Sequence, residues 1–308
     1  MKPGTPSIVS GSFEVPNFAL GHWTHPEGGT GCSVILAPDL CPAAVEVRGG
    51  APGTRETALL STGRTVQGAD AIVLTGGSAF GLSTADGVMS WLRERGRGFP
   101  TAAINVPIVS AAVIFDLTGN HPVWPDAEAG YQAAMSASET WYSGRIGAGA
   151  GASVSKVLGR EQAVRTGLGI AQMSTGAGTV SAVFANNAFG DLADDESSEL
   201  LTRPAQGISS TEELLLARGS EGESGQNTVI GAIVLDRPMS HDALSRIVTA
   251  GHAGIARVIR PAHCPTDGDT VFAISPERGT CTTRELMILT TAAQCAVARA
   301  LVTSFAPD

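Results

Sequence analysis

The run Thr228-Val229-Ile230-Gly231-Ala232-Ile233-Val234-Leu235 carries the signature of a buried strand: it is apolar and rich in β-branched residues. It is also far shorter than the roughly 20 residues needed to span a bilayer. Similar short runs at 32–36, 43–47, 71–74, 180–186 and 270–274 predict further strands. They alternate with longer Ala, Leu and Arg segments at 83–95, 124–137, 161–166, 241–250 and 283–303, which predict helices. The class is therefore mixed α and β. In the last helix Leu286, Leu289, Ala293, Val297 and Leu301 return to one face, as a core helix requires.

Composition narrows the function. Charged residues make up 16% and hydrophobic ones 43%, which excludes the charge-rich, apolar-poor kind of disorder. The formal charge of −9 and the lack of a basic face argue against nucleic acid and anionic membranes as partners. Met1-Lys2-Pro3-Gly4-Thr5-Pro6 lacks the apolar stretch of a secretory signal, so the expected compartment is the cytoplasm. Cys32, Cys41, Cys264, Cys281 and Cys295 are odd in number and include no Cys-x-x-Cys pair; they read as reduced, mostly buried thiols. His22, His25, His121, His241, His252 and His263 are scattered, so no metal site is expected, and no cofactor motif is convincing.

Several motifs admit two readings. Gly76-Gly77-Ser78-Ala79-Phe80-Gly81 sits between a strand and a helix and resembles a nucleophile elbow, but Phe80 stands where Gly-x-Ser-x-Gly needs glycine. Its glycines serve either close packing or an anion held by free N–H groups. In Gly147-Ala148-Gly149-Ala150-Gly151-Ala152-Ser153-Val154-Ser155-Lys156 the lysine is misplaced for a Walker loop, and close backbone packing is the simpler reading. Lys156, beside small residues, is a candidate for partial burial and a lowered pKa. Asp267-Gly268-Asp269 reads as a turn whose carboxylates could orient a hydroxyl or ammonium group. Asn187 ends a strand and could donate to an oxyanion. The acidic, small-residue stretch 191–227 reads as an exposed, mobile linker running into Thr228.

Five segments in one order carry a resemblance: 47–57, 74–82, Asn187-Ala188-Phe189-Gly190-Asp191, Asn227-Thr228-Val229-Ile230-Gly231 and Asp267-Gly268-Asp269-Thr270. Together they resemble the P1 family of peptidases, which contains the L-aminopeptidase/D-esterase DmpA, the β-aminopeptidases and the nylon-oligomer endohydrolases. The resemblance implies an α+β fold, an αββα four-layer sandwich like that of N-terminal nucleophile hydrolases but differently connected. It implies one catalytic domain over 1–308, self-cleaved between Asn227 and Thr228 into chains 1–227 and 228–308. Thr228 is then the nucleophile and its freed α-amine the base, since an amine of pKa about 7.7–8.0 is partly neutral near pH 7. By the same resemblance Asn187 stabilises the oxyanion, Lys156 lies near the nucleophile, and Asp267 and Asp269 position the threonine and its ammonium form.

The resemblance also implies a small-molecule amide or peptide substrate and a homo-oligomer, a tetramer of processed units, with no cofactor or metal. Phe115 stands where the family has a tyrosine and, with Gly77 and Ser78, is a candidate substrate-binding residue. Thr228 and Asp267-x-Asp269 in place of serines and Ser-x-Glu bring the chain closer to the nylon-hydrolase branch. Two readings compete: a serine hydrolase using Ser78, and a non-catalytic protein that holds a small anion.

Overall fold

The computed structural model describes residues 6–205, 207–218 and 227–305. Ten strands join in one network: β1 (Ser7–Ser10), β2 (Ala19–Thr24), β3 (Gly31–Val47), β4 (Thr54–Arg55), β5 (Gly68–Thr75), β6 (Val109–Val113), β7 (Leu168–Thr175), β8 (Gly178–Asn187), β9 (Thr228–Leu235) and β10 (Thr270–Ile274). Their order is β1-β7-β8-β9-β10-β3-β5-β6-β4, with β2 also on β3. The helices among the described residues are α1 (Thr84–Glu94), α2 (Ala127–Met135), α3 (Thr211–Arg218), α4 (His241–Val258) and α5 (Thr283–Thr303).

The long strand β3 divides the network in two. Its register breaks between Leu36 and Cys41; the part before the break pairs with β2 and β5, and the part after it keeps two pairs with β5, at Cys41 and Pro42, before pairing with β10 over 43–47. Such a break bends a strand and lets it pass from one sheet to another. The side chains then sort into three apolar layers. Ile35, Ile72, Leu74 and Ile114 meet Ile170, Val183, Ile230, Val234 and Phe272 between the two sheets. Phe184, Ile233 and Val271, on the far side of one sheet, are covered by Leu244, Ile247 and Ile255 of α4 and Leu289, Val297 and Leu301 of α5. Val34, Val73 and Ala111, on the far side of the other, are covered by Val88 and Leu92 of α1 and Ala129 and Ala133 of α2. The result is the αββα sandwich expected from the sequence. Each aliphatic side chain so enclosed stabilises it by roughly 1.5–3 kcal/mol.

Strand alternation decides where the polar ends of these strands face. In β9, Ile230, Ala232 and Val234 point between the sheets while Val229, Ile233 and Leu235 point to the helices. Thr228 is in step with the first set and opens into the space between the sheets. Asn187 is in step with Val183 and Ala185 of β8 and opens into the same space.

Four sequence expectations change. Segment 161–166 is not a helix: a 3-10 turn at Arg160–Gln162 leads into a short strand, Val164–Arg165, paired with Ser153–Val154. Six residues are too few to offset helix nucleation, and the pairing satisfies the backbone instead. The helix expected to stop at 250 continues to Val258. A glycine inside a helix costs about 1 kcal/mol relative to alanine, but a Cβ on Gly254 would stand 2.7 Å from the Gln294 carbonyl of α5, so the helix contact requires it.

The stretch expected to be a mobile linker is packed over its first part. Arg299 of α5 pairs with Asp195 and Glu196, and the Asp191 carboxylate accepts from the N–H (2.6 Å) and hydroxyl (2.8 Å) of Thr211 at the start of α3. Residues 219–226 lie outside the described residues. Of the thiols, Cys32 and Cys41 are buried and the other three are partly exposed; all are unpaired. The glycine run 147–151 is closely packed, as expected: a Cβ on Gly149 would stand 2.0 Å from Leu168 N.

Candidate active site

One end of the central strands gathers most of the residues singled out in the sequence. β8 and β9 are antiparallel with Asn187 opposite Thr228. β9 and β10 are parallel, and the pairing extends back to Asn227 opposite Asp267. Asn187, Thr228 and the Asp267-Gly268-Asp269 turn are therefore neighbours through backbone register. Lys156 arrives on a separate segment, whose Ser155 and Lys156 N–H groups each donate at 3.0 Å to the carbonyls of Gly190 and Phe189. Its Nζ donates to the Asn187 carbonyl (2.8 Å) and to Asn187 Oδ1 (2.6 Å). All five side chains are buried, from 0% exposed at Asn187 to 6% at Lys156.

Burial sets the electrostatics. Desolvation first, and the charge of Arg160 second, hold the Lys156 ammonium well below the ordinary lysine range, against the pull of Asp267 and Asp116. Desolvation and then the neighbouring charge of Asp269 push the Asp267 carboxyl well above the usual carboxylate range. Cys264 N–H donates to Asp267 Oδ2 at 2.7 Å, while Oδ1 is buried without a partner among the described residues.

Asp269 is better satisfied. Oδ1 accepts from Val229 N–H at 2.7 Å, and Oδ2 accepts from the backbone N–H (3.2 Å) of His263 and meets its Nδ1 at 2.7 Å. Burial opposes protonation of His263, but the bond to Asp269 and its charge outweigh this and raise the imidazole above its ordinary pKa. His252 stacks edge-on against His263 at 4.9 Å, and burial lowers it to about 4.

At the Asn227–Thr228 peptide, the Asn227 carbonyl oxygen accepts from Gly268 N–H at 3.1 Å and from the Thr228 hydroxyl. The approach of the turn demands glycine at 268, where a Cβ would sit 2.8 Å from Ala51 O and 3.0 Å from Thr228 Oγ1. The hydroxyl of Thr228 thus lies against the carbonyl that precedes it, beside a fixed backbone donor.

A cavity of about 550 Å³ adjoins this group, lined in part by Phe115, Asp116, Ser153, Arg160 and Arg165. Thr228 is not on its wall; the link is Asn187. Its Nδ2 donates to the Phe115 carbonyl at 3.2 Å, and its Oδ1 accepts from Ser153 N–H at 3.2 Å. Gly77 and Ser78 lie one layer back, behind Asp116. Gly77 N–H donates to Asp116 Oδ1 at 2.6 Å, and Ser78 N–H donates to the Ile114 carbonyl at 3.0 Å. The anion held by this glycine turn is the chain's own carboxylate. Gly77 adopts a φ of 82°, where only glycine is unstrained. The Ser78 hydroxyl has no hydrogen-bond partner among the described residues, so no base activates it here.

Sequence reasoning missed His263, Asp116 and Arg160. His263 stands four residues before Asp267, and that spacing was the only available signal; the other two are marked by nothing local.

The four-layer αββα arrangement is the fold seen in N-terminal nucleophile hydrolases. The family model for peptidase family S58 matches residues 13–306, and the chain belongs to that family. It is 42% identical over 258 residues to an uncharacterized aminopeptidase of Mycobacterium tuberculosis, covering 80% of this chain and 73% of that protein. It is 32% identical over 277 residues to the 6-aminohexanoate-oligomer endohydrolase of an Agromyces species, covering 86% and 74%. The fold is shared with the L-aminopeptidase D-Ala-esterase/amidase of Ochrobactrum anthropi, with a TM-score of 0.70 and 16% identity over 96% of this chain and 86% of that one. The family resemblance read from the sequence is borne out, and family and relatives support a peptidase or amidohydrolase activity.

Proposed function

We propose that the chain is a self-processing amidohydrolase that cuts itself between Asn227 and Thr228 and then uses Thr228 as an N-terminal nucleophile. The observation that carries this reading is the Thr228 hydroxyl held against the Asn227 carbonyl, whose oxygen already accepts from Gly268 N–H. In the uncut chain Thr228 Oγ attacks the Asn227 carbonyl carbon. The Oγ–C bond forms, the C–N bond breaks, and the hydroxyl proton passes to the departing nitrogen. Water then opens the ester and frees the hydroxyl.

The amine released at Thr228 emerges beside Asp267, because Asn227 and Asp267 are bridge partners. A buried carboxylate oxygen that has no partner among the described residues gains an ammonium there, which offsets its desolvation. In its neutral form the amine takes the Oγ proton as substrate is attacked. Asn187 is the side-chain donor for the oxyanion, held in place by Lys156, Ser153 and Phe115. The acyl-enzyme is hydrolysed by water. Small peptide-like or ω-amino-acid amides fit this chemistry, in keeping with the names of the relatives.

Intact-mass analysis with N-terminal sequencing tests the reading. Wild type yields two chains, one beginning at Thr228. Thr228→Ala yields one uncut chain without amidase activity, while Thr228→Ser still cuts, more slowly. A processed, active Thr228→Ala protein would refute it.

A further inference from the structure

We infer that the cavity beside Phe115 is a carboxylate-binding subsite in which Arg160 receives an acid group of the substrate. The inference deepens the proposed amidase reading and rests on it only for the identity of the scissile bond. Arg160 is half-buried, and among the described residues it forms no ion pair. Burial lowers its pKa, as expected for a cation drawn partly out of water, and the charge of Asp116 opposes this. A partly desolvated, unpaired guanidinium is costly unless an anion meets it.

Its orientation is fixed. The guanidinium lies 5.7 Å from the centroid of the Phe115 ring, and Nη1 donates to the Leu117 carbonyl at 3.3 Å. That leaves Nε and Nη2 of a planar fork for a ligand, a geometry that suits a carboxylate. The other charged groups on the wall are Arg165, Glu161 and Asp116. Arg165 and Glu161 are exposed; Asp116 Oδ1 accepts from Gly77 N–H, its Oδ2 is buried without a hydrogen-bond partner among the described residues, and its charge acts on Arg160 without forming an ion pair with it. The charge of Arg160 also reaches Lys156, so the subsite lies within electrostatic range of the reaction centre. The substrate class is an amide that also carries a carboxylate, such as a short oligomer of amino acids with a free acid end.

The test is the KM of the processed wild-type enzyme for 6-acetamidohexanoate (the acid) and, separately, for its N-methylamide (the amide), each followed by release of acetate and read as apparent binding. A charge-assisted hydrogen bond predicts that the acid binds about 10- to 100-fold more tightly. Arg160→Gln abolishes that preference. Arg160→Lys keeps part of it, because a point charge remains without the fork. Raising the salt concentration weakens binding of the acid and leaves the amide unaffected, a control that needs no variant. Equal binding of acid and amide by wild type, absence of binding by the acid, or a preference that survives Arg160→Gln would overturn the assignment. Mass analysis of the same preparation reports the cut before Thr228, so failure of the cleavage reading and failure of the carboxylate reading give different results.

Discussion

Replacing Asn187 by aspartate separates catalysis from support. Asn187 Oδ1 accepts from Lys156 Nζ at 2.6 Å and from Ser153 N–H at 3.2 Å, and Nδ2 donates to the Phe115 carbonyl at 3.2 Å. An amide nitrogen carries two N–H groups. Nδ2 is the donor proposed for the oxyanion. Aspartate keeps the shape and both accepting contacts, so Lys156 keeps a partner, now a charged one. It removes both N–H groups and adds negative charge where the oxyanion develops. Loss of one such donor costs about 2.7–4 kcal/mol in the transition state, or about 100- to 1,000-fold in kcat. KM should change by less than about threefold, because the donor acts after binding. The assay is steady-state hydrolysis of a chromogenic anilide, with thermal unfolding to verify the fold. Asn187→Ala is the companion: it also strips an acceptor from a buried ammonium and should lower stability by about 1–3 kcal/mol. A kcat for Asn187→Asp within threefold of wild type, or a rise in KM that matches the fall in kcat, would remove Asn187 from the oxyanion role.

Two further outcomes follow from the packing around β9. The raised pKa of His263 means that its pairing with Asp269 stabilises the fold fully below the ordinary histidine value of 6.5 and that this contribution is lost as pH rises through the raised one. His263→Gln should lower stability by about 1 kcal/mol on the acid side, a modest figure because the imidazole is partly exposed, and should flatten the pH dependence of the unfolding temperature. An unchanged pH profile would show that other groups nearby, His252, Glu46 or Arg48, set it. Gly231→Ala places a Cβ 2.2 Å from Phe184 Cδ1, a ring with no free space, and should destabilise by roughly 1–3 kcal/mol. Adding Phe184→Leu should recover part of that loss in urea unfolding, and an additive double variant would mean that the ring is not the obstacle.

What was legible in the sequence depended on composition. β9 and β10 are continuous apolar runs, and their burial on both faces leaves no other place for them. β6 (Val-Ser-Ala-Ala-Val) and β7, with its glycine and polar positions, went unread. Alanine and serine are neutral by pattern, and only the layers above and below bury them. α4 runs past the expected end at 250 through Gly251 and Gly254, which admit close neighbours. At the site, Asn187 and the Asp267–Asp269 turn were candidates by residue type and the family resemblance joined them to Thr228, but their proximity is a matter of strand register that no local pattern reveals. Asp116 and Arg160 meet the site through loops and had no signal at all.

On the proposed mechanism one set of groups serves two reactions. In the uncut chain the Asn227 carbonyl sits where a scissile carbonyl is wanted, with Gly268 N–H on its oxygen and the Thr228 hydroxyl against it. Two acidic groups stand by, and they are not equivalent. Asp269 is tied to Val229 N–H and His263 and holds the strand whether or not the bond is cut. Among the described residues one oxygen of Asp267 is buried without a partner, and desolvation raises its pKa. On the proposed mechanism it is the group whose circumstances improve on cleavage, since an ammonium appears next to it. The cut is then favoured by the site it creates, and Asp267→Asn should slow cutting or leave the new terminus poorly held, seen as a lower kcat in the processed fraction. If Asp267→Asn cuts and turns over at wild-type rates, the unpaired oxygen plays no part and the stabilisation must come from Asp269 alone.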